Sequence, residues 1–590
     1  SNAVTTARVG TASAAPFRVD RDLVIEARQK ATASATGGAS AAGATSAAVG
    51  IALGLTIAPH GATATLARDA SAGRDILLTA VSISSASANG AASAAGAPEE
   101  EADDSTPDGK GRTGVDKKAG AQRDYADTAA SKNGLTGSGT TASPKAETSG
   151  ENGDGGAVAV AAAVGIVIST VVVEAGVTED VTSLVAGRTV GLASSANADA
   201  ASSADGSATE GGSAAIGAGV ALTLATVSNR AVVPTWLTVE ARNLTLSATV
   251  AVDGADRTAT VSAASTAGAA GGVGIAGSVA IAIIDQDARA AVEGTVILTG
   301  GDATLTSASD LSVTVTALPA EGGVVGESVG IGVAFALALV TDDVHSSIED
   351  GRSLTGARDV TLSATALVVG SAEARMGAAA TGSQGNGGGG GGGGSSGVAV
   401  TPAIAIILSN ITTQARIGTA ELDETDPDEP VAPPLQLSGS LTIAADQDAS
   451  ASATAGAKAA AAGSAAVGVG LGLAIGNHGA LAELARDVVA SAGGAPEETA
   501  ADTTEDGDGK AGVDKQVANQ RKYTDATSAR TGGAGTGTAN SPSASTSDGR
   551  VSVAAAVGIA ISSVHAEARL TTDVEHLVAG GTVTLAASAN

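Results

Sequence analysis

Two segments of the chain carry the same constellation of oxygen-bearing side chains. Asp104, Thr106 and Asp108 stand at alternate positions before Gly109, and Asp502, Thr504 and Asp506 stand likewise before Gly507. Oxygen ligands at alternate positions followed by glycine match the opening of a calcium loop, where carboxylates gather around a hard cation at a sharp turn. The twelfth position of such a loop supplies a bidentate acid. Here it is Val115 or Val513, and Asp116 or Asp514 comes one residue late. The pattern nominates Asp104, Asp108, Asp502 and Asp506 as calcium ligands, against the plainer reading of a solvated acidic loop. No other cofactor is indicated.

The same segments hold both tyrosines, Tyr125 and Tyr523, each two residues after an arginine, Arg123 or Arg521. Tyrosine beside arginine is a frequent contact pair. The plainer alternative is a ring that packs its segment onto the body of the protein. The histidines are His60, His345, His478, His565 and His576, and none has the i, i+4 spacing of a metal site. They read as turn or surface histidines, with the duplicates His60 and His478 at a strand end. No Gly-x-Ser-x-Gly elbow stands between a strand and a helix, and there is no P-loop. The chain therefore reads as non-enzymatic, with no catalytic residue named. A polysaccharide-processing β-helix, with acids and arginines clustered on one face, is the alternative from the enzyme class.

Composition narrows the classes further. The 590 residues exceed one compact core. A net charge of −29 opposes binding to phosphate backbones, so nucleic acid is excluded as a partner. Aromatics are only 1% and glycines number 81, which leaves little with which to line a small-molecule pocket. Small side chains instead permit close approach of sheets. There is no cysteine, which suits an exported bacterial protein. The most apolar run, 157–173, is rich in β-branched residues and reads as a buried strand rather than a membrane helix. Absent aromatic girdles argue against a membrane barrel.

The elements that must position these segments come from a repeat. Its first half is a run of small apolar residues around Val-Gly or Ile-Gly, as at Val49-Gly50-Ile51, Val164-Gly165-Ile166, Ile216-Gly217, Val273-Gly274-Ile275, Val329-Gly330-Ile331, Val467-Gly468-Val469 and Val557-Gly558-Ile559. Val398–Leu408 fills the same slot, and Pro402 predicts an edge or a bulge there. The second half is a glycine turn with Asp or Asn and a short strand. Examples are Asn243-Leu244-Thr245-Leu246-Ser247 and Asp359-Val360-Thr361-Leu362-Ser363. Alternation of apolar residues with Thr or Ser is the period of a half-buried strand. Aligned Thr and Ser could also order water, as in ice-binding solenoids; ordinary solvent-facing β-threonine is the simpler account.

About eight units of roughly 50–57 residues predict an all-β, elongated repeat β-solenoid, parallel and β-helix-like, with polar loop insertions. Units are expected over 4–95, 157–380, 398–493 and, truncated, 550–590. Polar insertions occupy 96–156 and its twin 494–549, a glycine-rich loop 381–397, and an acidic, proline-rich loop 421–434. A longer duplication relates 47–69 to 465–487 and includes both insertions. Ser1-Asn2-Ala3 reads as a cloning remnant, and the chain as a section of a longer array.

The Gly-x-(Asp/Thr)-Val-Thr-Leu-x-Ala signature, clearest over 358–364 and 580–586, resembles the haemagglutinin-type repeats of large bacterial surface adhesins. The resemblance covers the strand half of most units. It implies a right-handed parallel β-helix, secretion, and an adhesive or structural role at the bacterial cell surface or outside the cell. The expected function is a stiff spacer whose insertions make contact with a cell-surface or carbohydrate partner, with calcium-dependent adhesion as a variant. Membrane insertion is not expected. End-to-end self-association through open strands is.

Overall fold

The computed structural model of the protein describes residues 2–10, 16–44, 47–96, 158–349, 353–381, 397–418, 434–461, 463–490, 543–547, 551–571, 574 and 576–589. Among these the chain is all β. No helix among them is long and apolar enough to cross a membrane.

The strands fall into three rows that the chain visits in cyclic order. After β1 (Ala3–Val9) and β2 (Phe17–Val19), the first full circuit is β3 (Leu23–Ala44), β4 (Ala47–Leu66) and β5 (Ala70–Ala72). The second is β6 (Ile76–Gly96), β7 (Val158–Val177) and β8 (Ser183–Ala186). In the third, β9 (Thr189–Val233) covers the first two rows in one extended run and β10 (Thr238–Ala241) the third. The fourth is β11 (Asn243–Val250), β12 (Ala259–Val292) and β13 (Thr295–Leu298); the fifth is β14 (Ala303–Ile348) and β15 (Leu354–Thr355). Then come β16 (Val360–Ala380), β17 (Gly397–Ile417) and β18 (Leu435–Leu437), followed by β19 (Leu441–Ala461), β20 (Gly463–Leu484) and β21 (Val488–Ala490). The last strands are β22 (Ser543–Ser547), β23 (Val551–Leu570) and β24 (Val583–Ala589).

Each strand pairs in parallel with its counterpart one circuit away, as β3 with β6, β6 with β9, β4 with β7 and β7 with β9. The short third row runs β2-β5-β8-β10-β13-β15, and β18 pairs with β21. At a spacing of about 4.8 Å per strand, nine second-row strands rise about 40 Å, whereas a twenty-residue strand is about 66 Å long. The described stack is therefore wider than it is tall.

The Val-Gly landmarks are not equivalent positions. Gly165 pairs with Gly54 and Ala221, while Gly217 pairs with Ala161 and Ala276. The reason lies in the core. First-row and second-row strands face each other with Ala, Gly and Ser pointing inward, and a Cβ on Gly165 would collide with the carbonyl of Ser203. Successive circuits place Gly or Ala at one register position, as Gly165 beside Ala221 and Gly217 beside Ala161, so the landmark drifts. Toward the third row the interior widens. Fully buried Ile76, Leu78, Leu192, Leu246, Leu305 and Leu362 fill it. The cross-section is a wedge, thick in leucine at one end and thin in alanine at the other.

The Asp and Asn residues of the turn motif do more than close their own turns. Asp75 accepts the amide of Thr189 at 3.1 Å, Asn243 that of Asp302 at 3.0 Å, and Asp359 that of Ser440 at 2.8 Å. Each staples one circuit to the next through a charge- or amide-assisted bond.

The internal duplication has a structural consequence. Residues 47–72 align with 465–490, and 93–100 then align with 491–498, so residues 73–92 have no counterpart in the second copy. That gap removes most of one first-row strand, the equivalent of β6. The vacated rung beside β19 is shared: β22 pairs with Gly456–Ala460 and β24 with Leu441–Gln447.

Two sequence expectations need correction. Pro402 lies at neither an edge nor a register shift; β17 keeps one register with β14 across it, and only the pairs at Thr401 and Pro402 are missing from that ladder. Proline has no N–H to donate, and loss of that bond is the whole local effect. Ala3, set aside with the leading residues, begins β1 and pairs with His60.

Candidate interaction surface

The run read as a buried strand is a strand with one buried side. In β7 the inward residues are Ala159, Ala161, Ala163, Gly165, Val167 and Ser169; the outward ones are Val160, Ala162, Val164, Ile166 and Ile168. The larger apolar side chains face out. Size, not polarity, alternates along the strand. From Ala159 to Gly165 the facing backbone limits the inward positions to Ala and Gly, so Val and Ile stand on the outer side there; Val is accommodated inward only from Val167 onward.

Register extends this inversion across the whole second row. Val49, Val160, Ile216, Ile275, Ile331, Val400, Val467 and Val553 form one outward column. Leu55, Ile166, Leu222, Ile281, Leu337, Ile406, Leu473 and Ile559 form another. Five such columns, from Val49 to Ile57 on β4, carry no polar or charged side chain in eight strands. Side chains shield one another within the columns, yet Ile51 is still 69% exposed, Ile57 51% and Ile283 38%.

The outer face of the first row is the opposite. Thr245, Thr304, Thr361, Thr442 and Thr584 make one column, and Ser247, Thr306 and Ser363 lie in the next. Ala444 and Ala586 continue that second column, so the polar pattern drifts as ordinary β-threonine does. The described residues form a slab with one apolar broad face and one that is mainly polar, its threonine column ending in Gly191, Leu77 and Val24.

A charged margin borders the apolar face at the C-terminal ends of its strands. Glu349 accepts from Arg289 at 3.0 Å and from Arg416 at 2.8 Å, and Arg289 also meets Glu293 at 2.7 Å. Arg230 pairs with Asp287, and Arg569 with Glu483. His345 lies in the same margin; burial lowers its pKa, against the pull of Asp343 and Asp287.

The histidine reading is overturned for His60 and His478. Both are interior, 2% and 1% exposed, in the body of long strands. His60 Nδ1 lies 2.5 Å from Ser84 Oγ, and His478 Nε2 lies 3.1 Å from Ser409 Oγ. Ser84 faces His60 across the thin core, whereas Ser409 lies beside His478 on the adjacent strand β17 of the same row; each small serine leaves room for an imidazole and offers a hydrogen bond. Burial lowers both pKa values, that of His478 to about 4. A second interior chain runs from Gln286 Nε2 to Ser309 Oγ at 2.7 Å and from Ser309 Oγ to Asp342 Oδ2 at 2.6 Å. Asp342 is fully buried, and burial pushes its pKa up to about 7.

An acidic group, Asp199, Asp253, Asp256 and Asp310, surrounds the loop between β11 and β12. Burial raises Asp199 to about 6 despite the bond from the Thr260 amide, and Lys30 pairs with Asp253 at 2.7 Å. Among the described residues no three His, Cys, Asp or Glu are grouped to hold a metal ion. The calcium candidates Asp104, Asp108, Asp502 and Asp506 lie outside the described residues, as do Arg123, Tyr125, Arg521 and Tyr523. The apolar face escaped the sequence reading, although a signal existed: Val, Leu and Ile dominate one parity of each run, and Gly, Ala and Ser are commoner on the other.

No family model, curated protein or solved structure matches the chain.

Proposed function

We propose that this chain is a section of a β-solenoid that serves as a structural, adhesive segment of a large secreted or surface-anchored bacterial protein. The observation that carries the reading is parallel register from circuit to circuit through the three rows. No strand buries its face alone; each circuit is held by its two neighbours, and the ends are templates for further circuits. Cross-circuit staples from Asp75, Asn243 and Asp359 add resistance to peeling. The likeness of the turn-and-strand signature to haemagglutinin-type repeats supports the surface location, and the polar face supports solubility. The role is mechanical, with adhesion through exposed surfaces.

Stretching single molecules between their ends tests it. Peeling one circuit frees about 57 residues, roughly 200 Å of contour at about 3.6 Å per residue. A sawtooth with steps near that length, lengthened where a circuit carries an insertion, is the expected record. One release of the whole chain would contradict the reading.

A further inference from the structure

The outer face of the second row has the composition of an interior and no neighbour among the described residues. We propose that a second copy of this chain covers it, apolar face against apolar face, so that two slabs form a four-layer sandwich.

Area is the first argument. Five columns span about 30 Å along the strands and eight strands span about 38 Å across them, which gives roughly 1,100 Å². A stable complex needs about 800 Å² per partner, and apolar patches on monomers rarely exceed a few hundred. The second argument is shape. The face is a parallel sheet of Val, Ile and Leu with the interstrand repeat of any sheet, and two such faces interdigitate at about 10 Å. Phe335 is the one aromatic residue in the columns. The third is charge. The margin that borders the columns holds both signs, Arg230, Arg289 and Arg416 with Asp287, Glu293 and Glu349. An apolar centre with a mixed polar rim is the anatomy of a protein–protein interface. A lipid surface fits less well, since the face has no Trp or Tyr for the interfacial zone and no basic excess, and the chain carries −29.

Sedimentation velocity of the full chain over a hundredfold range of concentration tests the proposal. The probes are Leu222→Lys with Ile281→Glu, neighbours in one outward column. Thr306→Lys on the polar face is the control, and circular dichroism monitors the fold. Ile57→Lys, at a half-exposed site on β4, is a second, milder probe. The expected result is a dimer for the parent and for Thr306→Lys, with dissociation at least a hundredfold easier in the face variants and an unchanged β spectrum. A parent that stays monomeric throughout overturns the proposal. So do oligomers indifferent to the face variants, which would point to association through the open ends of the stack. A monomer that binds neutral phosphatidylcholine vesicles, and loses that binding in the face variants, would give the face to lipid and overturn it as well.

Discussion

Gly165 lies against the backbone carbonyl of Ser203 across the two broad sheets, at a separation that leaves no room for a Cβ. This contact between one glycine and one peptide group sets the thickness of the slab. Its immediate neighbours Val164 and Ile166 stand on the other, outward side.

Substitution there should be costly in proportion to size. Gly165→Ala forces the sheets apart and is expected to destabilise by about 1–3 kcal/mol, and Gly165→Val by more. Gly277 is the control. It faces outward with nothing within 4 Å of its Cβ position, so Gly277→Ala should change stability by no more than about 0.5 kcal/mol. Urea unfolding of the three variants checks the ranking. Equal effects at the two positions would remove the thin-core account.

Asp342 gives a pH signature. Its folded pKa is raised to about 7 from 3.8, so folding favours the protonated acid. The penalty is absent below the unfolded pKa, grows as pH rises between the two values and is complete above the folded one. Asp342→Asn should therefore be more stable than the parent at pH 8, by up to about 4 kcal/mol, with the difference closing toward pH 4. Unfolding curves at the two pH values decide it. A pH-independent difference would show that Asp342 is not held protonated.

His478 has the opposite sign. Its pKa is lowered to about 4 from 6.5, so the folded state favours neutral imidazole. That stability is fully present above pH 6.5 and is lost as pH falls toward 4. His478→Gln should cost about 1 kcal/mol at pH 8, where the bond to Ser409 is disturbed. Near pH 4 it should match or exceed the parent. Parallel curves for the two proteins would contradict a buried neutral histidine.

Glu349 tests the charged margin. It joins Arg289 and Arg416, and its side chain is 20% exposed. Glu349→Gln should destabilise by about 1 kcal/mol at low salt, and by less as added salt screens the pairs. A loss that salt does not diminish would mean packing, not charge, is at work.

Much of the strand architecture was legible in the sequence, because Thr245-Leu246-Ser247 and its relatives alternate in polarity. The outer face was not, because Val164-Gly165-Ile166-Val167-Ile168 alternates only in size, which a hydropathy reading takes as buried on both sides. Which residues align was also hidden. Gly165 and Gly217 look equivalent in the chain, yet Gly165 pairs with Ala221 and Gly217 with Ala161, so register is set by strand pairing rather than by the landmark. The interior histidines were missed for a related reason: the serines that receive them, Ser84 and Ser409, are 24 and 69 residues away.

Circuit-to-circuit register is the relationship on which the slab, its two faces and its staples depend. The chain has no cysteine, so introduced pairs report on it without background. Thr304 pairs with Thr361, whereas Thr365 pairs with Ala308, four residues along the same strands. Thr304→Cys with Thr361→Cys should form a disulfide rapidly under mild oxidation, and Thr304→Cys with Thr365→Cys should not, because only the first pair lies within bridging distance. Equal cross-linking of the two pairs, or none in either with the β spectrum intact, would contradict the register and the slab built on it.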